Sequence, residues 1–348
     1  MKIRLQFLLT LIVILIGSTQ VRGQSKADSV FDKTQEALLS LLQKQHDTTY
    51  IQDLRYELAV KVLGVFKYTS FAIKDRNSGT RINYRPDRQV NLGFGVAYKW
   101  FAIDLAFNVG LTEDSEQDSE FFNFNGKVFS RKQYIEVNYQ YYYGYKIAKV
   151  RSSSSQASSF DARQDIRTIN ISLSNLYSFN YGKFSIQAPF ILNEVQKKSA
   201  GSFLSGVIFN QYTMGADSSI VPSSLEQEFS DEIELKEITV GSVGVRLGYM
   251  YSIIYRKLFF TLGLIPSLNL NYGDYIVTYR SAPKTQISVG YTTMNAFGYN
   301  GRRFFTGFQF TLTSNFIGLD KKGTFTYDYG NAKYFVGYRF KGKDKKGK

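Results

Sequence analysis

From residue 89 the chain alternates. Val90, Leu92, Phe94, Val96 and Tyr98 share one parity, with Asn91, Gly93, Gly95, Ala97 and Lys99 on the other. After a break at Lys99, Trp100 and Phe101 the alternation resumes, with Ile103, Leu105, Phe107 and Val109 opposite Ala102, Asp104, Ala106 and Asn108. A strand shows successive side chains to opposite faces, so each run has one apolar face and one small or polar face. Two such runs joined by a very short aromatic turn predict a β-hairpin. Each is roughly the 9–11 residues that a tilted strand needs to cross a bilayer.

The pattern recurs along the chain. Leu54, Tyr56, Leu58, Val60 and Val62 oppose Arg55, Glu57, Ala59 and Lys61 in a first strand over about residues 54–63. Residues 66–86 predict a hairpin extension turning at Asn77, Ser78 and Gly79. Further alternating runs begin at Phe122, Ile135, Ile169, Phe184, Val243, Leu258, Gln286 and Phe304, and the last contains Tyr334, Val336, Tyr338 and Phe340. Tight turns are expected near residues 100, 131, 181, 256 and 301, with longer polar connections between them. Short turns at one end and long loops at the other are the asymmetry of outer-membrane barrels. The expectation is an all-β, closed, antiparallel transmembrane β-barrel of about 12 strands, both chain ends on the periplasmic side, with a short N-terminal helix. Residues 202–213 also read as a strand; 192–237 is taken as a long excursion, and 14 strands is the alternative.

The face opposite the apolar one carries Gly, Ser, Asn and Thr, together with Arg55, Glu57, Lys61, Lys99, Asp104, Glu136, Arg246 and Arg339. Such a face fits either the wet lumen of a membrane barrel or the water side of a soluble one, so parity alone does not choose. Composition moves the choice toward the membrane. Tyr 26 and Phe 29 put aromatics at 16%, and aromatics at strand ends, such as Tyr98, Trp100, Phe101, Tyr255 and Phe259, suit interfacial girdles. A mean hydropathy of −0.23 is too polar for a bundle of spanning helices. In a barrel it is expected, because half of each strand faces inward.

Residues 1–23 read as a secretory signal peptide, with Lys2 and Arg4 before the apolar run at 5–16. Residues 24–50 are expected to be a periplasmic helical segment, with Val30, Phe31, Ala37, Leu38, Leu41 and Leu42 at spacings of three and four and Asp28 able to cap its start. Residues 51–340 form the barrel and 341–348 a basic tail. About half of the net charge of +14 sits in the leader and the tail. That distribution argues against nucleic acid as a partner and for anionic lipid. The expected partners are outer-membrane lipid, lipopolysaccharide and the barrel-assembly machinery, with an unspecified small solute.

The residues resemble a family of bacterial outer-membrane barrel proteins with no assigned activity. The resemblance rests on Asn83-Tyr84-Arg85-Pro86 leading into Gly93-Phe94-Gly95 and Tyr98-Lys99-Trp100, and on the run from Asn193 to Phe203 containing Lys197-Lys198-Ser199-Ala200-Gly201. Gly298-Tyr299-Asn300 and Val336-Gly337-Tyr338-Arg339-Phe340 agree with it. It covers most of the chain after about Tyr50. Asp87 stands where the family pattern would have Asn. The resemblance implies a barrel and carries over no catalytic residues.

Candidate chemistry is sparse. With no cysteine, disulfides and thiolate sites are excluded. The one histidine, His46, lies upstream of the first strand, away from where a barrel lipase or protease would hold its base. No enzyme, cofactor or metal site is expected. Two acidic stretches, Glu113, Asp114, Glu116 and Asp118 and then Glu226, Glu228, Asp231, Glu232 and Glu234, lack an ordered ligand spacing and read as solvated loops. Glu194, Lys197, Lys198 and Arg246 are the candidate lumen or constriction residues, since charged groups set the selectivity of a pore. The expected role is passage or binding of a small polar or amphiphilic solute. The alternative is a plugged structural or assembly barrel.

Overall fold

The computed structural model describes residues 46–86, 90–99, 101–108, 120–152, 162–229, 235–277, 280–319 and 323–341. The stretches read above as signal peptide and helical segment up to residue 45, Trp100, the first acidic stretch and the tail beyond Lys341 lie outside them. The strands, in chain order, are β1 (Ile51–Asp53), β2 (Leu58–Asp75), β3 (Arg81–Arg85), β4 (Val90–Tyr98), β5 (Phe101–Asn108), β6 (Glu120–Phe129), β7 (Gln133–Arg151), β8 (Ala162–Ser178), β9 (Glu194–Gln196), β10 (Ala200–Gly215), β11 (Leu235–Tyr255), β12 (Leu258–Val277), β13 (Arg280–Asn300), β14 (Phe304–Leu319) and β15 (Gly323–Phe340).

All pairings are antiparallel, and twelve strands close a ring: β2, β4, β5, β6, β7, β8, then β10 to β15, with β15 pairing back to β2. Closure pairs the last wall strand with the first, as a hydrocarbon environment demands. The parity reading gives the correct outward face. Val62, Val245, Leu247 and Ile287 are all at least 60% exposed, while Lys61, Ser242, Arg246 and Met250 on the other parity are buried. Soluble proteins do not carry so continuous an apolar belt, so the chain is a transmembrane β-barrel. The turns between paired strands at the chain-terminal end are tight, and Lys99 and Arg256 turn their corners at φ of 52° and 58°. By the usual barrel asymmetry this end is periplasmic.

The expected strand count holds, but one member differs. Residues 202–213 are a strand after all, part of β10, and the alternating run beginning at Phe184 is not. There the chain leaves the wall, makes a four-residue helical turn α1 (Gln187–Phe190) and pairs β9 with β1. Phe184, Ile186, Phe190, Ile191 and Leu192 are all buried in a cluster with wall residues Leu63, Phe129, Leu204, Met250 and Phe305. They fill the periplasmic end of the lumen, so inward packing, not a lipid face, explains their hydrophobicity.

A second apolar cluster fills the outer end. Ile220, Val221, Leu225 and Phe229 come from the β10–β11 connection and pack with Phe71, Tyr84, Tyr212, Phe325 and Tyr327 of the wall. The Tyr84 hydroxyl donates to the Ile220 carbonyl, tying that connection to β3. β3 itself is an addition to the ring. It pairs with β2 at Phe71–Lys74 on one side and with β7 at Lys146–Arg151 on the other. Strands β4, β5 and β6 are short, and β3 takes their place in the outer tier of the wall.

Candidate functional site

Between the two plugs lies a polar chamber of ≈ 50 Å³, lined among others by Lys67, Asp104, Glu136, Arg246, Tyr329 and Lys333. At roughly 10–15 Å³ for each water centre it holds about three to five waters. The chamber exists because the inward parity of the wall changes character at mid-height, from aliphatic and aromatic to Asn, Ser, Thr and charge. Gln140, Asn170, Ser172 and Ser174 are buried there on β7 and β8, with Thr292 and Thr313 on β13 and β14.

Its charges are arranged unevenly. Asp104 of β5 lies between two ammonium groups, Lys61 Nζ at 2.9 Å and Lys333 Nζ at 2.8 Å. Gly95 makes room for this arrangement. A Cβ there would lie 2.4 Å from both Asp104 Oδ1 and Lys61 Cε, so only glycine lets the pair cross β4. Glu136 accepts from Asn125 Nδ2 at 2.6 Å, and Asn125 Nδ2 also donates to Asn138 Oδ1. Lys127 stands within electrostatic reach of Lys333, Glu136 and Asp104. Arg246 of β11 is 5% exposed, and its side chain makes no hydrogen bond or ion pair among the described residues; its Nε is buried without a partner there. Three cations of the lining, Lys67, Arg246 and Lys333, thus meet two carboxylates, with Lys61 and Lys127 adding positive charge beside them. A buried guanidinium bonded to none of the described groups is costly, and an anion in the chamber would offset that cost.

The other candidates from the sequence lie elsewhere. Glu194 is buried in the periplasmic plug, where Ser185 Oγ donates to it at 2.5 Å and Arg131 Nη1 and Arg55 Nε approach to 3.3 and 3.7 Å. Asp53 completes this group through Arg55 and Arg131, at 2.7 and 2.6 Å. The Arg131–Glu194 approach lacks hydrogen-bond geometry. Burial, the largest influence, therefore holds the Glu194 carboxyl above its ordinary value despite the arginines. Nearby, burial first and then Arg131 hold the His46 imidazole below its ordinary value.

Lys197 and Lys198 are exposed and do not line the chamber. Lys197 Nζ donates to the Thr48 carbonyl at 2.8 Å and Lys198 Nζ sits 5.3 Å from the Tyr50 ring. In the second acidic stretch, Glu228 Oε2 accepts from Thr80 Oγ1 at 2.7 Å and from Ser152, fastening the outer connection to the wall. Asp231, Glu232 and Glu234 lie outside the described residues.

A family model described as a domain of unknown function, DUF4421, matches residues 45–340, which takes in every strand of the barrel. The chain belongs to the DUF4421 family. No curated protein matches it. Among solved structures, this DUF4421 barrel is similar to OmpT of Vibrio cholerae at 9% identity and a TM-score of 0.28, over 82% of this chain and 100% of that one. It is similar to the toluene transporter TodX of P. putida at 8% and 0.17, over 82% and 90%. Acinetobacter baumannii OccAB4 matches at 7% and 0.16, over 84% and 99%. At these scores the likeness carries no functional information about the DUF4421 barrel.

Lys333 and Tyr329, which line the chamber, and Lys127 beside it are residues that the sequence did not single out. Each falls on the inward parity of its strand, and that parity was the available signal. What the sequence does not give is the height along the strand, which separates chamber residues from plug-packing ones.

Proposed function

We propose that this protein is a closed outer-membrane barrel that binds a small anionic group in its mid-lumen chamber, and that it is not a standing pore. The observation that carries this reading is Arg246, a buried guanidinium without a side-chain partner among the described residues, in a chamber with surplus cations. The apolar fillings at both ends support the closed state. The chamber volume suits one phosphate or carboxylate group and a few waters, not a sugar chain or nucleotide. In this reading the protein sits among outer-membrane lipid and lipopolysaccharide and is inserted by the barrel-assembly machinery.

Two measurements test it. In a planar bilayer the wild-type protein shows no steady conductance. Isothermal titration with inorganic phosphate in neutral detergent shows binding that Arg246→Met lowers at least tenfold. A steady conductance, or phosphate binding unchanged in Arg246→Met, overturns the proposal.

A further inference from the structure

Among the described residues the wall of the barrel parts between two strand pairs. β13 and β14 stop pairing at Gly290↔Asn315, although residues 286–289 stay with β12 and 316–319 with β15. None of those residues lines the chamber. The other seam, between β5 and β6, does reach it. Strands β5 and β6 pair at Phe101↔Val128, Ala102↔Lys127 and Ile103↔Gly126, and then part. Continued in register, Asp104 would face Asn125, Leu105 would face Phe124 and Ala106 would face Asn123. None of these pairs forms, although each strand keeps its other neighbour. β5 stays paired with β4 as far as Asn108↔Asn91, and β6 stays paired with β7 as far as Glu120↔Tyr143. The two edges therefore diverge from an apex at Ile103 and Gly126. Over five residues at about 3.3 Å each, the seam runs roughly 16 Å through the hydrocarbon layer toward the outer side. Above it β3 bridges β2 and β7, so the opening has a lintel.

The seam opens onto the chamber. Asp104 and Ala106 from one edge and Asn123 and Asn125 from the other are all among its lining residues. On the lipid side Ile103, Leu105 and Phe122 are exposed. An unpaired strand edge in hydrocarbon is expensive, since each unsatisfied backbone group there costs several kcal/mol. A plain hydrocarbon in the seam would leave that cost standing. A polar head with oxygen atoms accepts from the edge N–H groups, while its tail remains among apolar side chains.

We infer that the β5–β6 seam is a lateral doorway through which a membrane amphiphile with a phosphate or carboxylate head places that head in the chamber against Arg246. Its acyl chain stays outside, beside Leu105 and Phe122. This inference rests on the reading of the chamber as an anion site and adds the source of the anion, which is the membrane and not the water.

The experiment uses the full-length barrel reconstituted in neutral vesicles and a single-chain phosphate amphiphile carrying a diazirine in its tail. On irradiation the wild-type label concentrates at least fivefold on peptides spanning 101–108 and 120–129 relative to the rest of the apolar belt. The chain has no cysteine, so Leu105→Cys with Phe124→Cys introduces one defined cross-link across the seam. Oxidation of that pair lowers the seam label at least fivefold and reduction restores it. Label spread evenly round the belt in wild type, or equal labelling of the oxidised and reduced pair, overturns the doorway. The wild-type pattern needs no variant to fold. The two readings fail separately. Even labelling alongside Arg246-dependent binding of inorganic phosphate sinks the doorway and leaves the chamber. Seam labelling indifferent to Arg246→Met, with no phosphate binding, sinks the anion site.

Discussion

Arg339 Nε donates to the backbone carbonyl of Leu192 at 2.7 Å, so the last strand of the barrel holds the corner of the periplasmic plug. Leu192 sits there at φ 69°, a left-handed conformation that a leucine adopts only when its surroundings impose it. The same guanidinium reaches Asn300 Oδ1 at 2.6 Å, and Asn300 Nδ2 donates to the plug carbonyls of Ala188 and Glu194 at 3.2 and 3.0 Å. Plug, β13–β14 turn and closing strand are therefore one hydrogen-bonded unit.

Arg339→Met removes the donor from this unit. Each buried acceptor left without a donor costs about 1–3 kcal/mol. The expected outcome is a lowered urea midpoint and, in planar bilayers, intermittent conductance absent from wild type as the plug leaves the lumen. A silent, equally stable variant shows that apolar packing alone seats the plug.

The plug was hidden in the sequence for a physical reason. Phe184, Ile186 and Phe190 alternate with Ser185 and Gln187 as a strand would, and period 2 does not distinguish a wall strand from a segment packed inside a wall. The misreading cancelled, because β10 replaced the false strand and the count stayed at twelve. The barrel itself was legible because every wall strand repeats one lipid-facing parity over eight residues or more. Arg246 was legible as an inward charge. Its lack of a partner was not, since that depends on which strands come to lie opposite at the same height. The seam was least legible of all, because β5 and β6 each alternate without interruption.

Glu194 makes the plug sensitive to pH. Its folded carboxyl is held above the ordinary 4.5, chiefly by burial. The folded state therefore keeps the proton more tightly than the unfolded one. The resulting stabilisation is full below the ordinary value and is lost as pH rises through the raised one. Asp53 acts in the opposite sense. Burial raises its carboxyl, but its bonds and charge contacts with Arg55 bring it below 3.8, so its contribution fades only in stronger acid. Urea midpoints measured from about pH 4.5 to pH 7 isolate Glu194. Wild type loses stability across that window relative to Glu194→Gln. Parallel profiles for the two proteins refute this assignment.

Asp104 is the counter-charge for two buried ammonium groups. Asp104→Asn leaves Lys61 and Lys333 facing each other, and breaking a buried pair costs about 3–5 kcal/mol. Gly95→Ala should act through the same pair, because its new Cβ takes the space between Lys61 and Asp104. Both variants should lower the unfolding midpoint, and adding Lys61→Met to Asp104→Asn should restore part of the loss. Independent, additive effects in that double-mutant cycle would show that the groups do not interact.

Arg246 yields the sharpest contrast, because a residue kept for the fold and a residue kept for a ligand respond oppositely to removal. An unpaired buried guanidinium lowers stability, and replacing a buried charge with an apolar side chain of similar volume is neutral or stabilising by about 1–4 kcal/mol. Arg246→Met should therefore unfold at equal or higher urea concentration than wild type in phosphate-free buffer. Inorganic phosphate should then raise the wild-type midpoint by mass action and leave the variant where it was. Tyr134, Tyr329 and Glu136 are the groups within electrostatic reach of Arg246, and none is bonded to it, so the substitution strands no partner. If Arg246→Met unfolds earlier than wild type without phosphate, the guanidinium serves the barrel's own packing, and the chamber is a by-product of the polar wall.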